Sequence, residues 1–128
     1  MKSITSKIVW LSLLSLIVMA TGCARPRYVH AVFFSFKEGT PPAEMEALAS
    51  DSIEQLSKIP SVRKIASGPR DAQALREVNV ADFDIGLVVY FDDKAGYDLY
   101  ENHPIHEQYV QKYRSSWAQV RVFDFIAK

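Results

Sequence analysis

Two segments of this chain are apolar on both faces, and that limits the folds open to it. Tyr28–Phe36 (YVHAVFFSF) and Phe83–Phe91 (FDIGLVVYF) are dense in β-branched and aromatic residues and read as strands. In the first, His30, Val32, Phe34 and Phe36 share one face, while Val29, Ala31 and Phe33 share the other. In the second, Phe83, Ile85, Leu87, Val89 and Phe91 oppose Val88 and Tyr90. A sheet built on such strands must be covered on both sides. With 128 residues the chain makes one domain, and its helices can cover only one face. The other face, left open, is an apolar patch of the kind that marks an interface. A second copy packed sheet to sheet is the simplest cover, so a homodimer is expected.

The intervening sequence supplies the helices. Thr40-Pro41-Pro42 opens one, with Thr40 as N-cap and Pro41 in the first turn, where its missing N–H costs nothing. Met45, Leu48, Ala49, Ile53 and Leu56 recur at helical spacing, and Pro60 closes the segment. Ser61–Ser67 reads as a short second strand and Gly68–Ala81 as a polar connection. After the third strand, Asp92 or Asp93 caps a helix ending near Asn102. His103-Pro104 then forces a break, because a residue before proline avoids the helical region. A further helix runs from Pro104 to about Trp117, and a last strand covers Gln119–Ile126. The order β-α-β-β-α-α-β predicts an α+β fold, a single sheet with helices on one face.

Charge and cysteine content exclude several functions. Lys+Arg and Asp+Glu balance at 15 each over the whole chain. Lys2 and Lys7, however, lie in a leader, and from Cys23 onward the balance is slightly acidic. Without a basic excess, nucleic acid is not expected as a partner. A single cysteine rules out an intrachain disulfide and any Cys-rich metal site. No glycine-rich phosphate loop and no Gly-x-Ser-x-Gly turn is present, so phosphoryl transfer and serine hydrolysis lack support.

The leader is an address. Two lysines precede the uncharged apolar run Ile8–Ala20, a stretch suited to a secretory signal and shorter than most membrane-spanning helices. It leads into Ala20-Thr21-Gly22-Cys23, which resembles a bacterial lipobox, with Ala20 where that pattern prefers Leu. The resemblance implies a signal peptide over residues 1–22, lipidation at Cys23, a tether over 23–27 and a folded domain over 28–128. Ordinary signal cleavage near Ala20 or Gly22 is the alternative. Ala24 follows the cysteine, where an Asp would suggest inner-membrane retention. An outer-membrane anchor facing the periplasm is therefore expected.

Three segments carry a further likeness: His30-Ala31-Val32-Phe33-Phe34-Ser35-Phe36-Lys37, Tyr100-Glu101-Asn102-His103-Pro104-Ile105-His106 and Val122-Phe123-Asp124-Phe125. Over about Tyr28–Phe125 the chain resembles the stress-responsive dimeric α/β-barrel (Dabb) domain. His-Pro-x-His between two helices is the most specific of these elements. The resemblance implies a ferredoxin-like unit that dimerises through its sheet into a barrel. Plant polyketide cyclases of this fold close an aromatic ring without a cofactor, using a tyrosine and the second histidine of that element. Those positions fall on Tyr100 and His106, and the first-strand histidine on His30. Tyr113-Arg114-Ser115-Ser116-Trp117 also resembles those cyclases.

The residues themselves allow two readings. On a helix from Pro104, His106, Val110, Tyr113 and Trp117 fall within roughly 60° of one another. His106 therefore points inward among aromatics, as a general base for a weakly acidic carbon would, and as a hydrogen-bonded structural histidine would. His103 reads as a cap or brace of the turn, His30 as a satisfied pocket histidine, and Tyr97 and Tyr100 as ring packing. Tyr100 and His106 together could polarise a carbonyl and take a proton. A pocket of Tyr97, His103, Val110, Tyr113 and Trp117 around catalytic candidates His30, Tyr100 and His106 is the expectation. His103, His106, Glu107 and His30 are too divergent for a metal site, since His106 and Glu107 lie about 100° apart on the helix. No metal and no cofactor is expected. Three functions remain: a lipid-anchored dimer binding a small apolar molecule with no assigned reaction, a cofactor-free acid–base enzyme of cyclase or lyase type, and a structural module of the envelope.

Overall fold

The computed structural model describes residues 26–128. The signal segment, Cys23 and all of the tether but Pro26 and Arg27 lie outside them. The elements are β1 (Tyr28–Phe36), α1 (Pro42–Leu56), β2 (Lys64–Pro69), β3 (Ile85–Phe91), α2 (Lys94–Glu101), α3 (Pro104–Tyr113) and β4 (Trp117–Ile126), with one 3₁₀ turn at Arg114–Ser116. The four strands form one antiparallel sheet in the order β2-β3-β1-β4. This is the ferredoxin-like α+β fold expected from the sequence, with the described helices on a single face.

Strand register sorts the side chains as the alternation predicts. On the helix side, Val32 lies opposite Leu87 of β3 and Val122 of β4, and Phe34 opposite Ile85 and Val120. Leu48 and Leu56 of α1 are fully buried against this face, together with Leu87, Val89 and Phe91. On the other side, Phe123 and Phe125 are 55% and 53% exposed. The rings of Phe33 and Phe123 meet there at 5.9 Å. Among the described residues, no helix lies over this apolar sheet face.

Several boundaries differ from expectation, each for a local reason. Thr40 is not the N-cap of α1; Pro41 occupies that position, without a side-chain cap. The Thr40 hydroxyl instead donates to the Lys37 carbonyl, closing a turn in which Gly39 takes φ +83°. β2 begins at Lys64 because the preceding residues turn: the Val62 amide bonds to the Ile59 carbonyl. Phe83 has left β3. The Asp84 amide donates to the Phe34 carbonyl and its carboxylate accepts from the Phe36 amide, and Phe83 packs at 4.8 Å on Phe33 of the open face. α3 stops at Tyr113, and Trp117 begins β4 opposite Phe36, across a register shift between Ser35 and Phe36.

α1 and α3 are joined by polar contacts. The buried Ser52 hydroxyl and the Tyr109 hydroxyl lie 2.7 Å apart. Asp51 accepts from both Lys112 (2.6 Å) and Tyr113 (2.7 Å). These two hydrogen bonds, Lys112 first, hold the Asp51 carboxyl below the ordinary carboxylate range against the opposing effect of burial. A depressed native pKa contributes stability above the unfolded carboxylate value of about 4, and that contribution is lost as pH falls through the native value. Asp51→Asn is expected to cost about 1–2 kcal/mol near pH 7 and to flatten the loss of stability on acidification. Urea midpoints of both proteins at neutral and acidic pH check this; the same acid-induced drop in both would contradict it.

The chain enters the sheet one residue before β1. The Arg27 amide donates to the Phe91 carbonyl, and the Ala127 amide donates to the Arg27 carbonyl. The backbone is therefore already pinned at Arg27, at the end of the sheet where β1 starts.

Candidate functional site

The polar centre of the helix side lies where α2, α3, β1 and β4 meet. Asp93 starts α2 by accepting a hydrogen bond from the Gly96 amide at 2.9 Å. Tyr97 and Tyr100, three residues apart, then fall on the sheet-facing side, and Leu99 is left 68% exposed. Tyr100 is buried, its ring 6.0 Å from that of His30, 4.5 Å from that of His106 and 5.1 Å from that of Phe91. It stands between the two histidines.

The break after α2 positions His106. His103 caps α3, its Nδ1 accepting from the Ile105 amide at 3.2 Å. His106 lies in the first turn of α3, with its Nδ1 3.0 Å from the Glu101 carbonyl oxygen. That carbonyl belongs to the last turn of α2, where backbone oxygens lack helical partners. A carbonyl only accepts, so Nδ1 carries the proton and Nε2 of the neutral ring is left as an acceptor. The Glu101 carboxylate lies 3.7 Å from that Nε2.

His30 reaches the same place from β1. The register puts it opposite Asp124 of β4, on the same face, and its Nδ1 lies 2.7 Å from the Asp124 carboxylate. The carboxylate holds the proton on Nδ1, as the Glu101 carbonyl does in His106. The tyrosines have the opposite character. Burial above all, then neighbouring phenols and the Glu101 carboxylate, push the Tyr100 phenol up; burial and the charges of Glu101 and Asp124 do the same to Tyr97. Both phenols stay protonated at neutral pH and offer O–H donors.

These groups border one cavity of about 190 Å³. His30, Tyr97, Tyr100, Glu101 and His106 line its polar end. Val32, Phe34, Leu87, Val110, Trp117, Val120 and Val122 make the apolar part, and Tyr109 lies beside them. Of the residues singled out in the sequence, His30, Tyr97, Tyr100, His106, Val110 and Trp117 are thus brought together. Two are not. His103 is used as a helix cap, and Tyr113 turns toward α1, donating to Asp51. Trp117 arrives from β4 rather than from the end of α3. Its indole nitrogen is buried without a hydrogen-bond partner.

Sequence reasoning missed Glu101 and Asp124. Asp124 does carry a signal: Val120, Val122 and Ile126 share its alternation, so a carboxylate interrupts an apolar row. Glu101 carries none beyond its place next to Tyr100. Among the described residues, no three His, Cys, Asp or Glu side chains are grouped as a metal ion requires. A larger groove of about 540 Å³ lies between α1 and the start of β3, lined by Met45, Ile53, Arg70 and Phe83 among others. Glu46, Arg70 and Asp84 also line it, but the Asp84 carboxylate is taken up by the Phe36 amide and no described histidine or tyrosine borders the groove, so the smaller cavity is the better candidate.

Comparison with known proteins agrees with the fold. The family model of the stress responsive A/B barrel domain (Dabb) matches residues 29–127, and the chain belongs to that family. No curated protein matches it. Among solved structures, a Dabb family protein with a ferredoxin-like fold from Mesorhizobium loti is 21% identical, with a TM-score of 0.66 over 81% of this chain and 99% of that one. A dimeric ferredoxin-like protein of unknown function from Thermobifida fusca is 19% identical, with a TM-score of 0.66 over 80% of this chain and 93% of its own. The hydroxynitrile lyase of Passiflora edulis is 16% identical, with a TM-score of 0.69 over 80% of this chain and 95% of the lyase. At such identities the likeness is one of fold.

Proposed function

We propose that this chain is a lipid-anchored Dabb-domain homodimer of the bacterial envelope, in which each protomer binds a small, largely apolar molecule. The observation that carries the ligand is the convergence of His30, Tyr100 and His106 on one cavity, with ring separations of 6.0 and 4.5 Å about Tyr100. Both imidazoles have Nδ1 bonded to the protein and border open volume rather than a closed core. The homodimer is supported by the half-exposed Phe123 and Phe125 on the sheet face that no described helix covers, and by the dimeric relative from Thermobifida fusca. The expected test is a screen of one-ring compounds by ligand-observed NMR. Binding that His106→Ala weakens at least tenfold supports the reading, and an absence of any binder at millimolar concentration overturns it.

A second reading, cofactor-free acid–base catalysis, is favoured by the His30–Asp124 pair and by the lyase among the structural relatives. In it, Nε2 of His106 takes a proton while the Tyr100 hydroxyl donates to a developing oxyanion. Loss of a measured conversion in His106→Ala, with ligand affinity retained, separates catalysis from binding.

The anchor belongs to the same proposal. Cys23 carries the lipid, on an outer membrane facing the periplasm. Because the backbone is pinned at Arg27, only residues 24–26 are left to span, on the order of 10 Å. The β1-entry end of the sheet then faces the bilayer. Cys23→Ser is expected to move the protein from the membrane fraction to the soluble periplasm; an unchanged membrane fraction would sink the anchor.

A further inference from the structure

The charge at the polar end of the cavity is one-sided. Glu101 is on its wall, and the Asp124 carboxylate stands behind His30. No lysine or arginine is among the lining residues. The nearby Lys94 lies over the Tyr97 ring, 5.6 Å from its centroid, with its ammonium held 2.6 Å from Asp98. It is committed elsewhere.

We propose that Glu101 sets the ligand class of this cavity, admitting neutral one-ring molecules that carry a hydroxyl donor and excluding carboxylates of the same size. This rests on the reading that the cavity binds a ligand. Three observations lead to it. The volume of about 190 Å³ is of the size that holds a single ring; a cavity of roughly 150 Å³ accommodates benzene. Both histidines have Nδ1 occupied, by the Asp124 carboxylate and the Glu101 carbonyl. In the neutral rings their Nε2 atoms then call for a donor on the ligand, such as a phenolic or alcoholic O–H. The Glu101 side chain is 37% exposed and His106 15%, and the carboxylate lies 3.7 Å from the His106 Nε2. An anion seated against that nitrogen would meet a like charge at close range in a partly desolvated site. Glu101 thus acts on which molecules enter, and the protonated Tyr100 hydroxyl is left to mark the ligand's own acceptor.

The experiment compares two probes of one size, neutral 4-methylphenol and anionic benzoate, titrated into the full-length protein near pH 7.5. Binding is located by shifts of the Tyr100 and Trp117 ring signals. The wild-type protein is expected to bind 4-methylphenol at least tenfold more tightly than benzoate. Glu101→Gln preserves shape and removes charge; it is expected to raise benzoate affinity about tenfold while 4-methylphenol changes less than threefold. Equal affinity for both probes in the wild type, or an unchanged ratio in the variant, overturns the role of Glu101 and leaves the ligand-binding reading standing. If neither probe binds the wild type in the cavity, the ligand-binding reading itself fails, and this inference with it.

Discussion

Tyr100→Ala is expected to cost about 3–5 kcal/mol, the range for removing a large buried aromatic side chain. The ring is almost wholly buried and contacts Phe91, His30 and His106. Its removal leaves a hole where α2, α3 and the sheet meet, next to a cavity that already exists. Small domains are stable by only about 5–15 kcal/mol, so the variant sits near the limit of folding. A fall in Tm of about 15–30 °C follows from the usual dependence for a domain of this size. Tyr100→Phe separates packing from chemistry: it keeps the ring, is expected to remain within about 1 kcal/mol of wild type, and loses the hydroxyl. Thermal melts of both variants check this. A small effect of Tyr100→Ala would mean that the helices close over the gap.

The double variant Phe123→Glu/Phe125→Glu is expected to convert the dimer to monomer at micromolar concentration. Both rings lie on the open sheet face and are about half exposed. Covering the remaining half of each contributes about 1–1.5 kcal/mol. A symmetric dimer uses each ring twice, so the pair accounts for about 4–6 kcal/mol, or roughly a 10³–10⁴-fold change in Kd. Glutamates add the cost of desolvating charge. Since β4 is an edge strand whose outer face is already wet, the monomer should keep its fold. Sedimentation velocity with circular dichroism reads both quantities. A double variant that remains dimeric would place the interface elsewhere.

The parts of this fold legible in the sequence are those encoded by short-range alternation and by proline. The two faces of β1 and β3, the break at His103-Pro104 and the capping Asp93 all depend on residues close together in the chain. What escaped is non-local or unpunctuated. Arg114-Ser115-Ser116 contains neither glycine nor proline to mark the end of α3, so helical spacing ran on to Trp117 and turned Tyr113 toward the wrong neighbours. Phe83 fits the alternation of β3, and only the pairing of Asp84 with β1 reveals that it leaves the sheet. The partnership of His30 with Asp124 spans 94 positions and follows from the register of two strands at opposite ends of the domain.

That register has a consequence for how the chain tolerates insertion. β1 lies between β3 and β4 and is a partition: Val29 and Ala31 are on one face of the sheet, His30 and Val32 on the face that borders the chamber. Hydrophobic patterning ordinarily resists a one-residue slip, because slipping exposes the buried set. Here the helix-side set is also the bulkier one: a slip would move Ala31, Phe33 and Ser35 into the places of Val32, Phe34 and Phe36, which are 5%, 3% and 8% exposed. His30 and its carboxylate partner act in the same direction, because the slip would part the imidazole from Asp124. One residue added between Arg27 and His30 and absorbed within the strand would turn it inside out, delivering the imidazole to the outer wall and a methyl group to the chamber. Packing and one polar pair thus orient the strand together.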